Sequence, residues 1–265
     1  MREIVIKCGG SSLEELPEEF FVDLVHSHEQ GVCSPVIVHG GGPLISKLLE
    51  QTGVKTEFVN GLRKTTGDVL KVVEMVLSGS VNKQLVNRIQ LAGGNAFGLS
   101  GADGYFMAAE PAGNSLGFVG EICKVDTEVV RGILSRGQIP VISPVSADPS
   151  TGQKYNINGD TAAAAVAEAL GAPLSFISDI PGIYRSGGGG WFEHLTVPEA
   201  ESLLEKKEVT GGMVPKLKAA VEGLKSGVPE VSVINGLDSS ALRALLQNTQ
   251  IPGTRITAGE VTARV

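Results

Sequence analysis

Short β-branched segments alternate with amphipathic helical segments along the chain, and this alternation is the strongest constraint on the fold. Residues 4–6 form an apolar run that ends at Lys7, before Gly9 and Gly10, and apolar residues then recur at helical spacing over residues 16–28. Strands that are joined through helices run parallel to one another. The alternation therefore predicts an α/β fold: a doubly wound, mostly parallel open sheet with helices on both faces.

The remaining predicted elements continue this pattern. Strands are expected at residues 35–38, 96–99, 139–143, 174–178, 231–234 and 255–257, and helices at residues 43–51, 69–91, 127–135, 161–170, 198–205, 214–226 and 239–246. Residues 106–123 are predicted to contain a hairpin, and residues 148–152 to form a loop. A Gly-Ala-Pro break at residues 171–173 predicts two lobes, residues 1–173 and residues 174–265.

The overall composition excludes several classes of protein. A chain of 265 residues with 42% hydrophobic residues is long and apolar enough for a large core. The net charge of −7 gives no reason to expect a nucleic-acid partner. No stretch reaches the roughly 18 apolar residues of a membrane helix, and Cys8, Cys33 and Cys123 form no CxxC pair. These features predict a cytoplasmic protein without a membrane segment.

Two glycine clusters follow the first two predicted strands. Gly9 and Gly10 come after the first strand, and residues 40–42 are three consecutive glycines after the second. Glycine lets backbone N–H groups approach an anion, and a following helix N-terminus favours negative charge, so phosphate is the expected ligand. The alternative is that these glycines only form tight turns. Neither a GxxxxGK[ST] motif nor a GxGxxG after the first strand is present, so a P-loop and a Rossmann site are not supported.

Four charged residues could act on such a ligand. Lys7 at a strand end can present its charge to a transferred phosphoryl group. Lys216 lies in the first turn of a predicted helix, where the helix dipole disfavours a cation unless an anion is bound. Asp160 either orients these lysines or is an N-cap, for which Thr161 is the other candidate. Arg63 could bind a substrate carboxylate, although a solvated surface position is an equally simple reading.

His39 follows the second predicted strand and has no serine or cysteine partner in a recognisable nucleophile motif. We therefore interpret it as a structural, hydrogen-bonding residue. The other histidines lack metal-ligand spacing, so no transition-metal site is predicted.

Five motifs occur in the chain in a characteristic order. They are Lys7-Cys8-Gly9-Gly10-Ser11, His39-Gly40-Gly41-Gly42-Pro43, Asn60-Gly61-Leu62-Arg63, Asn156-Ile157-Asn158-Gly159-Asp160 and Gly211-Gly212-Met213-Val214-Pro215-Lys216. Together they resemble the amino acid kinase family over nearly the whole chain. The resemblance implies an N-terminal lobe that binds the acyl acceptor and makes a dimer contact, and a C-terminal lobe that binds ATP.

The resemblance also implies a role for each matched residue. Catalysis is implied for Lys7, Gly10, Asp160 and Lys216, acceptor binding for Gly41, Gly42, Arg63 and Asn156, and nucleotide binding for Lys7, Gly9, Gly10, Ser11, Asp179 and Lys216. In this scheme the two lysines neutralise charge on the phosphoryl group, Asp160 holds both lysines, and glycine N–H groups bind phosphate oxygens.

Among family members, the match is closest to those that phosphorylate the γ-carboxylate of N-acetyl-L-glutamate with MgATP for arginine biosynthesis. A carboxylate is ionised at neutral pH, so this reaction needs no general base. Arginine-inhibited members carry an extra N-terminal helix, whereas this chain begins close to its first predicted strand. The resemblance therefore implies an arginine-insensitive homodimer. The alternatives are a related kinase that acts on glutamate or an aminoadipate derivative, and a non-catalytic sensor of ATP or an amino acid.

Overall fold

A mostly parallel, eight-stranded sheet forms the centre of the computed structural model, which describes residues 1–10, 13–59, 61–113, 115–185, 190–209 and 213–259. The strands are β1 (Arg2–Cys8), β2 (Cys33–His39), β3 (Glu57–Val59), β4 (Leu62–Lys64), β5 (Ala96–Ser100), β6 (Met107–Pro111), β7 (Gly120–Val125), β8 (Ile139–Ser143), β9 (Val145–Ala147), β10 (Lys154–Asn156), β11 (Leu174–Ser178), β12 (His194–Thr196), β13 (Val231–Asn235) and β14 (Gly253–Thr257). The α-helices are α1 (Glu18–Glu29), α2 (Gly42–Gln51), α3 (Gly67–Glu74), α4 (Asn82–Leu91), α5 (Thr127–Leu134), α6 (Gly159–Leu170), α7 (Val197–Glu205), α8 (Met213–Ser226) and α9 (Ser239–Leu246).

The strand order across the central sheet is β12-β14-β13-β11-β1-β2-β8-β5. Neighbouring strands are parallel except β13 and β14, which are antiparallel. β1 lies in the interior of the sheet, where Val5 is in register with Leu174 on one side and with Val36 on the other. Interior parallel strands are covered on both faces, which explains why β2 is buried along its whole length.

Alternate residues of β1 face two separate hydrophobic cores. Val5 belongs to a core that includes Val166 of α6 and Leu217 of α8. Ile6 faces the opposite side and belongs to a core that includes Leu24 of α1. Because side chains alternate along a strand, the apolar residues of β1 pack against helices on both sides of the sheet. The predicted doubly wound α/β fold is confirmed.

Two smaller sheets complete the described structure. The antiparallel strands β6 and β7 lie in the region predicted as a hairpin, and with β9 and β10 they form a four-stranded sheet. The predicted loop at residues 148–152 connects β9 to β10. β3 pairs with β4 in a separate antiparallel hairpin. β3, β4, β9, β10 and β12 were not predicted from the sequence, because strands of three residues are too short to show a period.

The helical region predicted at residues 69–91 contains an irregular middle section. A π-helical segment, Met75–Val81, joins α3 to α4 without a break. π-helical turns occur frequently at functional sites. Within the described residues, no helix is long and apolar enough to cross a membrane. β1 pairs directly with β11, so the central sheet is continuous across residue 173, and the division into two lobes stays a prediction.

Candidate active site

A cavity of about 340 Å³ opens at the carboxyl ends of β1, β2 and β11. In open parallel sheets, ligands bind at this edge. The predicted site residues that line the cavity are Lys7, Gly9, Gly10, Gly41, Gly42, Arg63, Asn156, Asp160, Asp179 and Lys216. Ser11 lies outside the described residues, as do Asn60, Gly211 and Gly212 of the sequence motifs. The fold thus brings together residues from all five motifs.

The two glycine loops pack backbone against backbone at the floor of this cavity. A Cβ atom on Gly10 would lie only 2.8 Å from the backbone nitrogen of Gly41 and 2.9 Å from that of Gly42. On Gly41, a Cβ atom would lie 2.7 Å from a methyl group of Leu77, which belongs to the π-helical segment. Gly10 and Gly41 are therefore required by close approach, and the result is a surface of backbone groups that a phosphate can reach.

Lys7 and Asp160 form an ion pair in the cavity wall. The Lys7 Nζ atom lies 2.7 Å from Oδ1 of Asp160, and the two side chains are 13% and 23% exposed. At this distance the two opposite charges attract each other strongly. Asp160 lies in the first turn of α6, where the helix dipole favours a negative charge.

The N-cap of α6 differs from the sequence-based candidates, because Asn158 is the capping residue rather than Asp160 or Thr161. The Asn158 side-chain oxygen accepts hydrogen bonds from the backbone N–H groups of Asp160 at 2.8 Å and Thr161 at 3.1 Å. Asn, Asp and Thr are all common caps, so composition alone did not separate them. With Asn158 as the cap, the carboxylate of Asp160 is available to Lys7.

Lys216 is the fourth residue of α8 and is partly buried at the cavity wall. Its predicted position in a first helical turn is therefore confirmed. Among the described residues, Asp160 forms an ion pair with Lys7, and Lys216 forms none. A cation without a partner at a helix N-terminus is electrostatically unfavourable unless an anion is bound beside it.

Arg63 lies on β4 and is 8% exposed. Its Nη1 atom donates to Oγ1 of Thr56 at 2.8 Å, and its Nη2 atom donates to Oγ of Ser46 at 2.8 Å and to the carbonyl oxygen of Gly42 at 3.2 Å. The ring of Phe58 lies 4.6 Å from the guanidinium carbon. Burial lowers the pKa of Arg63, but an arginine remains protonated at any physiological pH. The solvated surface position is thus excluded.

Asn156 is linked to the β3–β4 hairpin through one threonine. The Asn156 side-chain amide donates to Oγ1 of Thr65 at 3.1 Å, and the Thr65 hydroxyl donates to the carbonyl oxygen of Arg63 at 2.8 Å. Asn156 and Arg63 are therefore linked by one chain of hydrogen bonds at the same wall of the cavity.

Asp179 follows β11 and accepts a hydrogen bond from the hydroxyl of Ser178 at 3.2 Å.

His39 and Asn82 form a fully buried, hydrogen-bonded pair behind the second glycine loop, and the sequence motifs did not predict this pair. His39 Nδ1 donates to the carbonyl oxygen of Gly40 at 3.0 Å, and Nε2 accepts from the Asn82 amide at 3.3 Å. Asn82 also donates to the carbonyl oxygen of Val141 at 2.8 Å. Burial lowers the pKa of His39 to about 4, which keeps the ring neutral and fits the structural role predicted for it. Asn82 is followed directly by Lys83 and Gln84, so the sequence carried no pattern that marked it as a buried residue.

Cys8 lies beside the first glycine loop but has no access to solvent, with 1% of its surface exposed. Burial raises the pKa of its thiol to about 12, so it is uncharged at neutral pH. The thiolate is the reactive form of cysteine. The structure therefore gives Cys8 a packing role.

Known proteins resemble this chain in both sequence and structure. The sequence model of the amino acid kinase family matches residues 2–235. Acetylglutamate kinase from Oceanobacillus iheyensis is 44% identical over 264 residues, covering 98% of this chain and 99% of the relative. Acetylglutamate kinase from Geobacillus kaustophilus is 49% identical over 237 residues, covering 89% and 90%. The crystal structure of smu.665 from Streptococcus mutans superposes with a TM-score of 0.83 at 29% identity, covering 97% of this chain and 99% of that one.

The family model spans most of the chain. The matched residues include all five motifs, and each motif contributes residues to the wall of the cavity. The relatives match over nearly their full length, so the similarity is not confined to a shared nucleotide-binding fragment. The resemblance drawn from the motifs is confirmed, and the chain belongs to the amino acid kinase family.

Proposed function

We propose that this protein transfers the γ-phosphoryl group of MgATP to the γ-carboxylate of N-acetyl-L-glutamate, producing N-acetylglutamyl 5-phosphate and ADP for arginine biosynthesis. The observation that carries the proposal is one cavity that holds a lysine–aspartate pair, two glycine loops and a buried arginine. The relatives named acetylglutamate kinase, at 44% and 49% identity, support this choice of acceptor.

Arg63 binds the α-carboxylate of the acceptor in this proposal. Guanidinium N–H groups donate charge-assisted hydrogen bonds to carboxylate oxygens, and burial strengthens the attraction between the two charges. Asn156 lines the same wall and binds a neighbouring polar group of the acceptor. Bound in this way, the acceptor directs its γ-carboxylate toward the glycine loops.

The positive charges of Lys7 and Lys216 reduce the electrostatic repulsion between the attacking carboxylate and the γ-phosphate. N–H groups of Gly10, Gly41 and Gly42 bind phosphoryl oxygens as the P–O bond to ADP breaks and the bond to the carboxylate oxygen forms. Asp160 fixes the position of Lys7 and so removes the cost of ordering it during the reaction. The acceptor carboxylate is already ionised, so no residue has to remove a proton from it.

The nucleotide occupies the remaining part of the cavity, beside Gly9, Asp179 and Lys216, with Ser11 contributing by family resemblance. Mg²⁺ enters with ATP as the MgATP complex and offsets phosphate charge. Lys216 at the start of α8 then acquires the anionic neighbour that its position requires.

ADP release from MgATP tests the proposal, with N-acetyl-L-glutamate, L-glutamate, L-aspartate and N-acetyl-L-aminoadipate compared side by side. We expect turnover with N-acetyl-L-glutamate alone. Preferential turnover of glutamate or the aminoadipate derivative would reassign the acceptor. Binding of ATP or N-acetyl-L-glutamate without turnover of any acceptor would favour a sensor.

We also propose that the protein is a cytoplasmic homodimer, as the family resemblance implies. Light scattering coupled to size-exclusion chromatography tests the assembly state. A mass near twice 27.5 kDa supports the dimer, and a mass near 27.5 kDa contradicts it.

A further inference from the structure

The guanidinium of Arg63 is held entirely by neutral acceptors. Its partners are the hydroxyl groups of Ser46 and Thr56 and the carbonyl oxygen of Gly42. Within the described residues, no aspartate or glutamate forms an ion pair with Arg63. A buried charge is costly unless an opposite charge accompanies it. The site therefore keeps a positive charge that a ligand can neutralise.

The neutral acceptors come from two different elements and fix the plane of the guanidinium. Ser46 and Gly42 belong to α2, whereas Thr56 immediately precedes β3. The Phe58 ring covers one face of the guanidinium at 4.6 Å. An arginine has five N–H donors, and three of them are used by these contacts. The two donors that remain lie on Nε and Nη1, and each can donate a hydrogen bond to a carboxylate oxygen of a ligand.

We infer that Ser46 and Thr56 are positioning residues that orient Arg63 without neutralising it, and that they thereby select acceptors that carry an α-carboxylate. The inference rests on the proposed function and adds a determinant of acceptor specificity to it. A carboxylate at either position would hold the guanidinium equally well, but it would also repel the substrate carboxylate. The hydroxyl groups orient the guanidinium without neutralising it, so its positive charge remains available to the carboxylate of the acceptor.

The test compares N-acetyl-L-glutamate with 4-acetamidobutanoate, which is the same molecule without the α-carboxylate. For each variant, KM for N-acetyl-L-glutamate and for ATP is measured, together with the inhibition constant of 4-acetamidobutanoate against N-acetyl-L-glutamate. The variants are Ser46→Ala, Thr56→Val and the conservative Thr56→Ser. Thr52→Val is the matched control, because the Thr52 hydroxyl bonds only to backbone carbonyls at the end of α2.

We expect Ser46→Ala and Thr56→Val each to raise KM for N-acetyl-L-glutamate about tenfold, the size expected for a hydrogen bond to a charged group. KM for ATP and the inhibition constant of 4-acetamidobutanoate should stay within about twofold of the wild-type values, because neither ligand uses Arg63. Thr56→Ser should restore the wild-type KM, and Thr52→Val should not change it.

Two results would overturn the inference while leaving the proposed function intact. One is a wild-type KM for N-acetyl-L-glutamate in both hydroxyl-deletion variants. The other is an equal loss of affinity for N-acetyl-L-glutamate and 4-acetamidobutanoate, which would indicate a general structural defect. If the wild-type protein itself fails to phosphorylate N-acetyl-L-glutamate, the proposed function is wrong and the inference falls with it.

Discussion

The ammonium group of Lys7 lies 2.7 Å from a carboxylate oxygen of Asp160, and this contact joins the central strand β1 to the first turn of α6. Both side chains are largely shielded from solvent, so their attraction exceeds that of an exposed ion pair. Asp160 thereby holds a positive charge at the wall of the cavity, beside the two glycine loops. The proposed mechanism depends on this fixed charge.

Replacement of Lys7 by alanine should lower kcat by about 10²- to 10³-fold, the usual cost of removing one group that stabilises charge in a transition state. KM for N-acetyl-L-glutamate should change little, because Lys7 acts on the phosphoryl group. Steady-state kinetics with both substrates checks this. Lys71→Ala is the matched control, since Lys71 forms an exposed ion pair with Asp68. Unchanged turnover in Lys7→Ala would refute the assigned role.

Variants of Asp160 and Asn158 should differ in their effects on kcat and on the unfolding free energy. Asp160→Asn leaves the helix cap in place but removes the charge that holds Lys7, so kcat should fall, and the unfolding free energy should also fall because Lys7 loses its ion-pair partner. Asn158→Ala removes the cap and should cost about 1 kcal/mol of stability. Chemical denaturation and kinetics on both variants measure the two effects. Unchanged stability in Asn158→Ala would contradict the capping role of Asn158.

Gly10→Ala should disable the site through a steric conflict. Its methyl group would lie 2.8 Å from the backbone nitrogen of Gly41, so one of the two glycine loops would have to shift. We expect kcat to fall at least tenfold, because these loops are proposed to bind the phosphoryl oxygens. Gly132→Ala is the control: nothing lies within 4 Å of the position that its methyl group would take in α5, and the change should leave activity intact and add about 0.5–1 kcal/mol of stability. Equal activity in the two variants would contradict the close packing of the loops.

His39 should make the protein less stable in mild acid. Burial lowers the pKa of His39 to about 4 in the folded state, whereas an unfolded histidine titrates near 6.5. Between these values the unfolded chain binds the extra proton, so the unfolding free energy falls as the pH drops from 6.5 toward 4, by at most about 1.4 kcal/mol per pH unit. Above pH 6.5 this contribution is fully present.

Urea denaturation of the wild-type protein and of His39→Gln at pH 7.5, 5.5 and 4.5 isolates the contribution of His39 from those of the carboxylates. Glutamine retains hydrogen-bonding groups but does not titrate. The wild-type protein should lose more stability than the variant between pH 7.5 and 4.5. Parallel pH dependences in the two proteins would show that His39 is not held neutral.

The sequence predicted the layers of this fold more completely than its small sheets. The apolar run of β1 is visible in the sequence because both of its faces are buried, and the glycine clusters mark where β1 and β2 end. β3, β4, β9 and β10 escaped prediction, because each is held by pairing with a neighbour and is too short to have a period of its own. A longer buried strand can be recognised from its run of apolar residues, whereas these short strands can be recognised only from their pairing in the structure.

The same distinction applies to the cavity. Lys7, Arg63 and Lys216 could be selected from their types and their places beside turns and helix starts. Ser46 and Thr56 could not, because a serine within a helix and a threonine before a strand have no distinguishing pattern until the fold brings them to Arg63. The capping role of Asn158 was also missed in favour of Asp160 and Thr161, because the helix begins two residues earlier than the sequence pattern indicated.

Trapping of the reaction product with hydroxylamine is the most direct test of the central claim. Hydroxylamine converts an acyl phosphate into a stable hydroxamate, so MgATP and N-acetyl-L-glutamate should give ADP and N-acetylglutamyl hydroxamate in equal amounts, and Lys7→Ala should lose both together. Release of ADP with inorganic phosphate and no hydroxamate would contradict transfer to the carboxylate.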